Sequence, residues 1–294
     1  EPNRLITKNN NINTTEIIID TTHKEKVITE TIESETEDDD SESDATTVSG
    51  DSQQERPNPS GNHAPELDEE ESRSYGGNLK ADKEDDCLRI STFNPRGIRR
   101  DQISNTIQHS RDREVDIQCF SEVNLDTTKS SIKSSLAYGL RQVDFHATAD
   151  WSSSTITAKN SFKAGGTGIV TFGTSTNRIK YRGQDTLGRW NWMVMGAKGH
   201  RNILIVSIYQ VAQTSMKKRR GNTAFHQQKT CLSALNRANT DPRRNFRNDL
   251  KKEIAKLRDK YKVTKFIIAG DWNEECSNTS TPQEICDTFG LVDI

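Results

Sequence analysis

Five nearly continuous apolar runs constrain this chain most: CLRISTFN, VDIQCFSEV, GTGIVTFG, NILIVSIYQV and KFIIAGDWN, all within residues 87–294. Several lack the apolar–polar alternation of a sheet with one wet face, so they predict strands covered on both sides. Helix patterns lie between them. RRDQISNTIQHSRDREV has apolar positions at Ile103 and Ile107, and TAFHQQKTCLSALNRA turns Phe225, Cys231, Leu232 and Leu235 toward one side. DPRRNFRNDLKKEIAKLRDKY opens on Asp-Pro, a good helix start, and repeats Phe246, Leu250, Ile254 and Leu257 at helical spacing. Strands alternating with helices predict an α/β layered domain with helices outside central sheets. No internal repeat is visible.

Charge divides the 294 residues unevenly. Residues 1–86 hold 24 acidic and 8 basic residues, a net of −16; the other 19 acidic and 33 basic residues leave residues 87–294 at +14. The acidic arm, with blocks such as ETIESETEDDDSESD and a RPNPSGNHAP linker, is expected to be disordered, because it buries too little apolar surface to offset the ordering entropy. Its short apolar run EIIID reads as a transient strand or a partner peptide without a core of its own. No stretch of about 18 apolar residues suggests a membrane span, and no signal peptide is recognisable. The missing initiator Met reads as the mark of a fragment or of an incomplete gene model. Five scattered cysteines (87, 119, 231, 276, 286) without C-x-x-C spacing favour reduced thiols in an intracellular protein over a disulfide frame or zinc site, with Cys119 a buried apolar residue.

Polar residues recur where the apolar runs end: Asn94 after the first, Glu122 after the second, Tyr209 on a middle one, Asp271 and Asn273 on the last. Such groups would converge on one rim of the sheets. Taken singly, Asn94 with Pro95 and Gly97 also reads as a turn. A lone Glu at a strand end is commonly solvated, yet one carboxylate is also what Mg²⁺ often takes from a protein. In GDWN, side chains at i and i+2 of extended chain point the same way, which would aim Asp271 and Asn273 at one ligand. An acid beside an amide suits one group that takes a proton and one that stabilises an oxyanion.

Together, FNPRG, SEVN, GGTGIV, SIYQV and GDWNE, in that order, resemble the motifs of the endonuclease/exonuclease/phosphatase superfamily, which includes apurinic/apyrimidinic endonucleases and the endonuclease domains of retrotransposons. The segments LGRWNW and TAFHQQ look more like the retroelement type. The resemblance covers residues 87–294 and implies a four-layered α/β sandwich, two packed sheets flanked by helices, with the acidic arm in front. It implies metal-dependent hydrolysis of DNA phosphodiesters. Glu122 would hold Mg²⁺ or Mn²⁺, Asn94 would lie beside the metal, and Tyr209 would hydrogen-bond the scissile phosphate. Asp271 would orient or deprotonate the attacking water, and Asn273 would support the transition-state oxygens.

Departures qualify this. Ser121 stands where the family has Gln, which reads as the loss of a hydrogen-bonding side chain. Arg96 stands where some members carry an acid, and Gln210 and Val211 replace the usual residues after Tyr209. The chain stops at GLVDI, before the family's closing S-D-H, and none of its six histidines lies in such a motif; His226 reads as a helix-surface residue. The expectation is therefore a domain incomplete at its C-terminus, with weak or no activity as it stands. Two alternatives stay open: a catalytically dead nucleic-acid-binding remnant, and a phosphatase of the same superfamily, against which the +14 body counts.

The expected partner is DNA, with RNA a second candidate, met by Arg96 on the rim and by Lys217, Lys218, Arg219 and Arg220 in MKKRR. That cluster reads equally as a nuclear localisation signal. Trp190, Trp192 and Trp272 are candidates for base stacking or for the core. A monomer in the nucleus, with no membrane association, is expected. If the acidic arm competes for the basic face as a nucleic-acid mimic, removing residues 1–86 tightens DNA binding at low salt; unchanged binding would exclude that role.

Overall fold

The computed structural model describes residues 3–5, 15–20, 83, 87–155, 163–213, 223–237 and 239–293. The MKKRR cluster, Lys217 to Arg220, and most of the acidic arm lie outside the described residues. Eleven strands and five α-helices are assigned among them. The strands are β1 (Asn3–Leu5), β2 (Thr15–Asp20), β3 (Cys87–Phe93), β4 (Ile117–Ser121), β5 (Thr148–Ser152), β6 (Thr167–Thr171), β7 (Ile179–Gln184), β8 (Trp190–Gly196), β9 (Asn202–Tyr209), β10 (Val263–Asp271) and β11 (Leu291–Asp293). The helices are α1 (Ile103–Asp112), α2 (Ser130–Val143), α3 (Ala224–Ala234), α4 (Pro242–Tyr261) and α5 (Thr281–Phe289).

Two mixed sheets form the centre. One has the order β11-β1-β10-β9-β8-β7, the other β2-β3-β4-β6-β5. The segment containing EIIID is therefore a strand, antiparallel to β3 at the sheet edge. Asn3–Leu5 lies parallel to both β10 and β11. The expected continuous apolar strands are all present, and their two-sided burial explains the missing alternation. Along β9, Ile203 and Ile205 face the other sheet, meeting Leu88, Ile90, Ile117 and Ile169. Leu204, Val206 and Ile208 point the opposite way, into a cluster with Phe246, Leu250, Ile254 and Leu257 of α4 and Ile285 of α5. On the far side, α1 and α2 cover Phe120 and Val170 with Ile103, Ile107, Ile132 and Leu136. The four layers implied by the resemblance are thus α4 and α5, two sheets, and α1 with α2.

Helix α4 begins as its sequence dictates. Asp241 accepts hydrogen bonds from the Arg243 and Arg244 backbone N–H groups at 2.9 and 3.1 Å, with Pro242 at the first helical position. Lys262, with φ 51°, closes α4. Leu235, expected on the apolar side of its helix, is instead the exposed C-cap of α3, one residue past the last turn. The helices α2 and α5 and the strands β5, β7 and β8 were not anticipated. Residues of β5 and β7 are mostly half-buried or exposed, so their apolar signal is weak.

The base-stacking reading of three tryptophans is overturned by packing. Trp190, Trp192 and Trp272 are all buried in the cluster beneath α4, with Trp190 and Trp272 ring edges against Phe246. All five cysteines are free thiols. Cys119 is fully buried, and burial pushes its thiol up to about 12, against a smaller opposing effect of a hydrogen bond with Ser207. Among the described residues no helix is long and apolar enough to cross a membrane.

Candidate active site

In this fold β3 runs parallel to β4, and β9 parallel to β10. Asn94 and Glu122 follow the C-terminal ends of the first pair, while Tyr209 and Asp271 are paired residues at the ends of the second. The topology therefore delivers polar side chains from both sheets to one rim. There the Asn94 amide joins them: Nδ2 donates to Glu122 Oε2 at 3.1 Å and to Asp271 Oδ2 at 2.7 Å. Asn94 Oδ1 accepts from the Arg96 backbone N–H at 2.8 Å, which fixes the amide's orientation. Arg96 itself is exposed beside it.

Tyr209 is buried. Its phenol is pushed well above its ordinary range, first by burial and then by the negative charges of Glu122 and Asp271. It is thus a neutral O–H donor at any pH near 7. The neighbouring loop fits closely over it. A Cβ on Gly165, with φ +85°, would stand 3.0 Å from the Tyr209 ring, and one on Gly166 would stand 2.7 Å from the Ser152 carbonyl. Only glycines allow this approach. Gly165 also exchanges two hydrogen bonds with Asn124, from its N–H to Asn124 Oδ1 at 2.7 Å and from the Asn124 N–H to its carbonyl at 2.8 Å.

Asp271 and Asn273 do come together, but not by strand alternation. The strand ends at Asp271, and Asn273 has a left-handed φ of 47°. Their proximity comes from a turn in which the Asn273 backbone N–H donates to Asp271 Oδ1 at 2.8 Å. Asn273 Nδ2 donates to the Gln210 carbonyl at 2.7 Å, leaving one amide hydrogen for another acceptor. Arg96, Glu122 and Asn124 share the left-handed conformation, at φ 51°, 55° and 54°. Non-glycine residues are uncommon there, and such strain collects at functional sites.

Three supports were misread or missed in the sequence. Ser121, expected to subtract a hydrogen bond, instead makes two: its Oγ donates to the Ile208 carbonyl at 2.9 Å and accepts from the Asp271 N–H at 3.0 Å. Gln210 is fully buried, and its Nε2 donates to the Trp272 carbonyl at 2.8 Å and to Glu274 Oε2 at 2.9 Å. Arg243 pairs with Glu274 at 2.8 Å and donates to the Asn273 carbonyl at 3.2 Å. Burial is the largest influence on Glu274 and raises its pKa, yet hydrogen bonds from Gln210 and Thr281 and the Arg243 charge together hold its carboxyl below the usual range. A polar residue inside an otherwise apolar run was the available signal, since a buried polar group needs a partner. His226 lies on α3 with its ring bonded to Thr223.

The donors at this rim suit a hard cation. Glu122 and Asp271 each place a carboxylate oxygen on the same Asn94 amide nitrogen, and carboxylate oxygens are the donors that Mg²⁺ or Mn²⁺ takes. Among the described residues no group of three or more His, Cys, Asp or Glu is placed to hold a metal ion, at this rim or elsewhere.

No protein-family model matches the sequence, and no curated protein matches it. Solved structures similar to this chain include an endonuclease/exonuclease/phosphatase family protein from Leptotrichia buccalis, with 16% identity over 68% of this chain and 74% of that one, at a TM-score of 0.39. The human Nocturnin catalytic domain, bound to sulfate, is 14% identical over 67% of each chain, at a TM-score of 0.40. A Neisseria 3′ phosphatase bound to a product DNA hairpin is 15% identical over 65% of this chain and 60% of that one, at a TM-score of 0.37.

Proposed function

We propose that this chain carries a divalent-cation-dependent phosphodiesterase site acting on DNA, of the retroelement endonuclease type. The observation that carries the reading is the Asn94 amide bonded at once to Glu122 and Asp271, carboxylates from different sheets. Glu122 would hold the cation, with Asp271 and Asn94 beside it. When bound, the cation would neutralise charge on the phosphate. Asp271 Oδ2 is the group to accept a proton from the attacking water, and its orientation is set by Asn94 and the Asn273 N–H. Tyr209, kept neutral, donates to a non-bridging phosphate oxygen. The second amide hydrogen of Asn273 serves the oxygen that gains charge during in-line attack. The net +14 of residues 87–294, with Arg96 at the rim, supports a polyanionic substrate over a small phosphate ester.

The full chain is tested on supercoiled plasmid in Mg²⁺ and in EDTA. In keeping with the weak activity expected of a domain that stops before the closing S-D-H, slow conversion to nicked circles is expected, in Mg²⁺ only, and falling steeply as salt rises. Release of inorganic phosphate from a phosphomonoester without nicking would instead favour a phosphatase, and neither reaction would overturn the enzymatic reading.

A further inference from the structure

The layer between the two sheets is apolar along most of its length, from Leu88 and Met195 to Ala269 and Cys119. Apolar contact is non-directional, so by itself it does not fix how far one sheet slides over the other. At the rim this matters, because Glu122 follows a strand of one sheet while Tyr209 and Asp271 end strands of the other. Two buried hydroxyls cross the layer there. Ser207 Oγ donates to the Phe120 carbonyl at 3.0 Å, and Ser121 Oγ bonds both the Ile208 carbonyl and the Asp271 N–H. Ser121 immediately precedes Glu122; its acceptor Ile208 immediately precedes Tyr209; its donor belongs to Asp271 itself.

We infer that Ser121 is the positioning residue of this site, setting Asp271 and Tyr209 against Glu122 across the sheet interface. A hydroxyl is suited to this because it donates once and accepts at the same time. Ser121 and Ser207 are both fully enclosed, yet they differ in reach. Ser207 ties one strand of each sheet two residues before the functional side chains. Ser121 ties one strand of the first sheet to both strands of the second, at the residues adjoining those side chains. The inference rests on the cation reading of the preceding section, and the test separates the two.

The full chain and its Ser121→Ala, Ser207→Ala and Glu122→Gln variants are titrated with Mn²⁺ by electron paramagnetic resonance, alongside thermal melts. Partners that orient metal ligands are typically worth 10- to 100-fold in affinity, so Ser121→Ala is expected to weaken Mn²⁺ binding about tenfold. Ser207→Ala is expected to lower the melting temperature similarly while leaving Mn²⁺ affinity within about twofold of wild type, and Glu122→Gln to lose the site. Equal Mn²⁺ affinities in the two serine variants, with the site lost in Glu122→Gln, would overturn the role of Ser121 and leave the cation reading standing. Equal binding in wild type and Glu122→Gln would overturn both. If nicking is followed as well, Ser121→Ala is expected to lower kcat at nearly constant KM.

Discussion

Replacing Asp271 by asparagine is expected to slow Mg²⁺-dependent plasmid nicking about 10³-fold, within the 10²–10⁴ range of a positioned general base. The substitution keeps the shape of the side chain but leaves one acceptor oxygen where the carboxylate used two, so it can accept from the Asn94 amide or from the Asn273 N–H but not from both, and it removes the basic oxygen that would take the proton. It also takes a negative charge away from Glu122 and Tyr209, whose phenol already feels both carboxylates. Stability is therefore expected to change little, the relieved charge repulsion offsetting the one hydrogen bond lost. Single-turnover nicking with a thermal melt separates the two effects. A rate within threefold of wild type would remove Asp271 from the chemistry.

The largest stability effect is expected at Arg189. Its guanidinium is buried and pairs with Asp185 through Nε at 2.6 Å and Nη2 at 3.0 Å, while Nη2 also reaches Asp249 at 3.0 Å. Nη1 donates to Asn245 Oδ1 at 2.8 Å, and Arg237 holds the other side of Asp249. This cluster fastens the turn before β8 to the first half of α4. The turn adjoins the site, since the Tyr209 N–H donates to the Arg189 carbonyl at 2.8 Å. Arg189→Ala leaves the buried Asp185 carboxylate without its cation, while Asp249 keeps Arg237, and removing one partner of such a buried pair costs about 3–5 kcal/mol. At about 2–4 °C per kcal/mol for a domain of this size, the melting temperature should fall by roughly 6–20 °C. A fall under about 2 °C would mean that the cluster contributes little.

The layers were legible because strands buried on both faces write continuous apolar runs, and α4 because its cap and its apolar repeat agree. The strands β5 and β7 escaped because half-exposed edges carry no such signature. At the site, the residue types were legible and the geometry was not. Asn273 looked aligned with Asp271 by alternation, whereas the chain turns between them. Ser121 looked like a deficit because its partners, Ile208 and Asp271, lie 87 and 150 residues away. Trp272 looked available because polar residues flank it, yet it faces the core beneath α4. The basic cluster at Lys217–Arg220 keeps its sequence reading alone.

In the proposed function Glu122 and Asp271, brought from two sheets to one amide, act as a single cation-dependent unit. The most direct measurement compares nicking by Glu122→Gln, Asp271→Asn and the double variant in Mg²⁺. Residues that act as one unit lose activity non-additively, so the double variant is expected to be no more than about threefold slower than the slower single variant. Multiplicative losses, or nicking in either single variant at the wild-type rate, would contradict it.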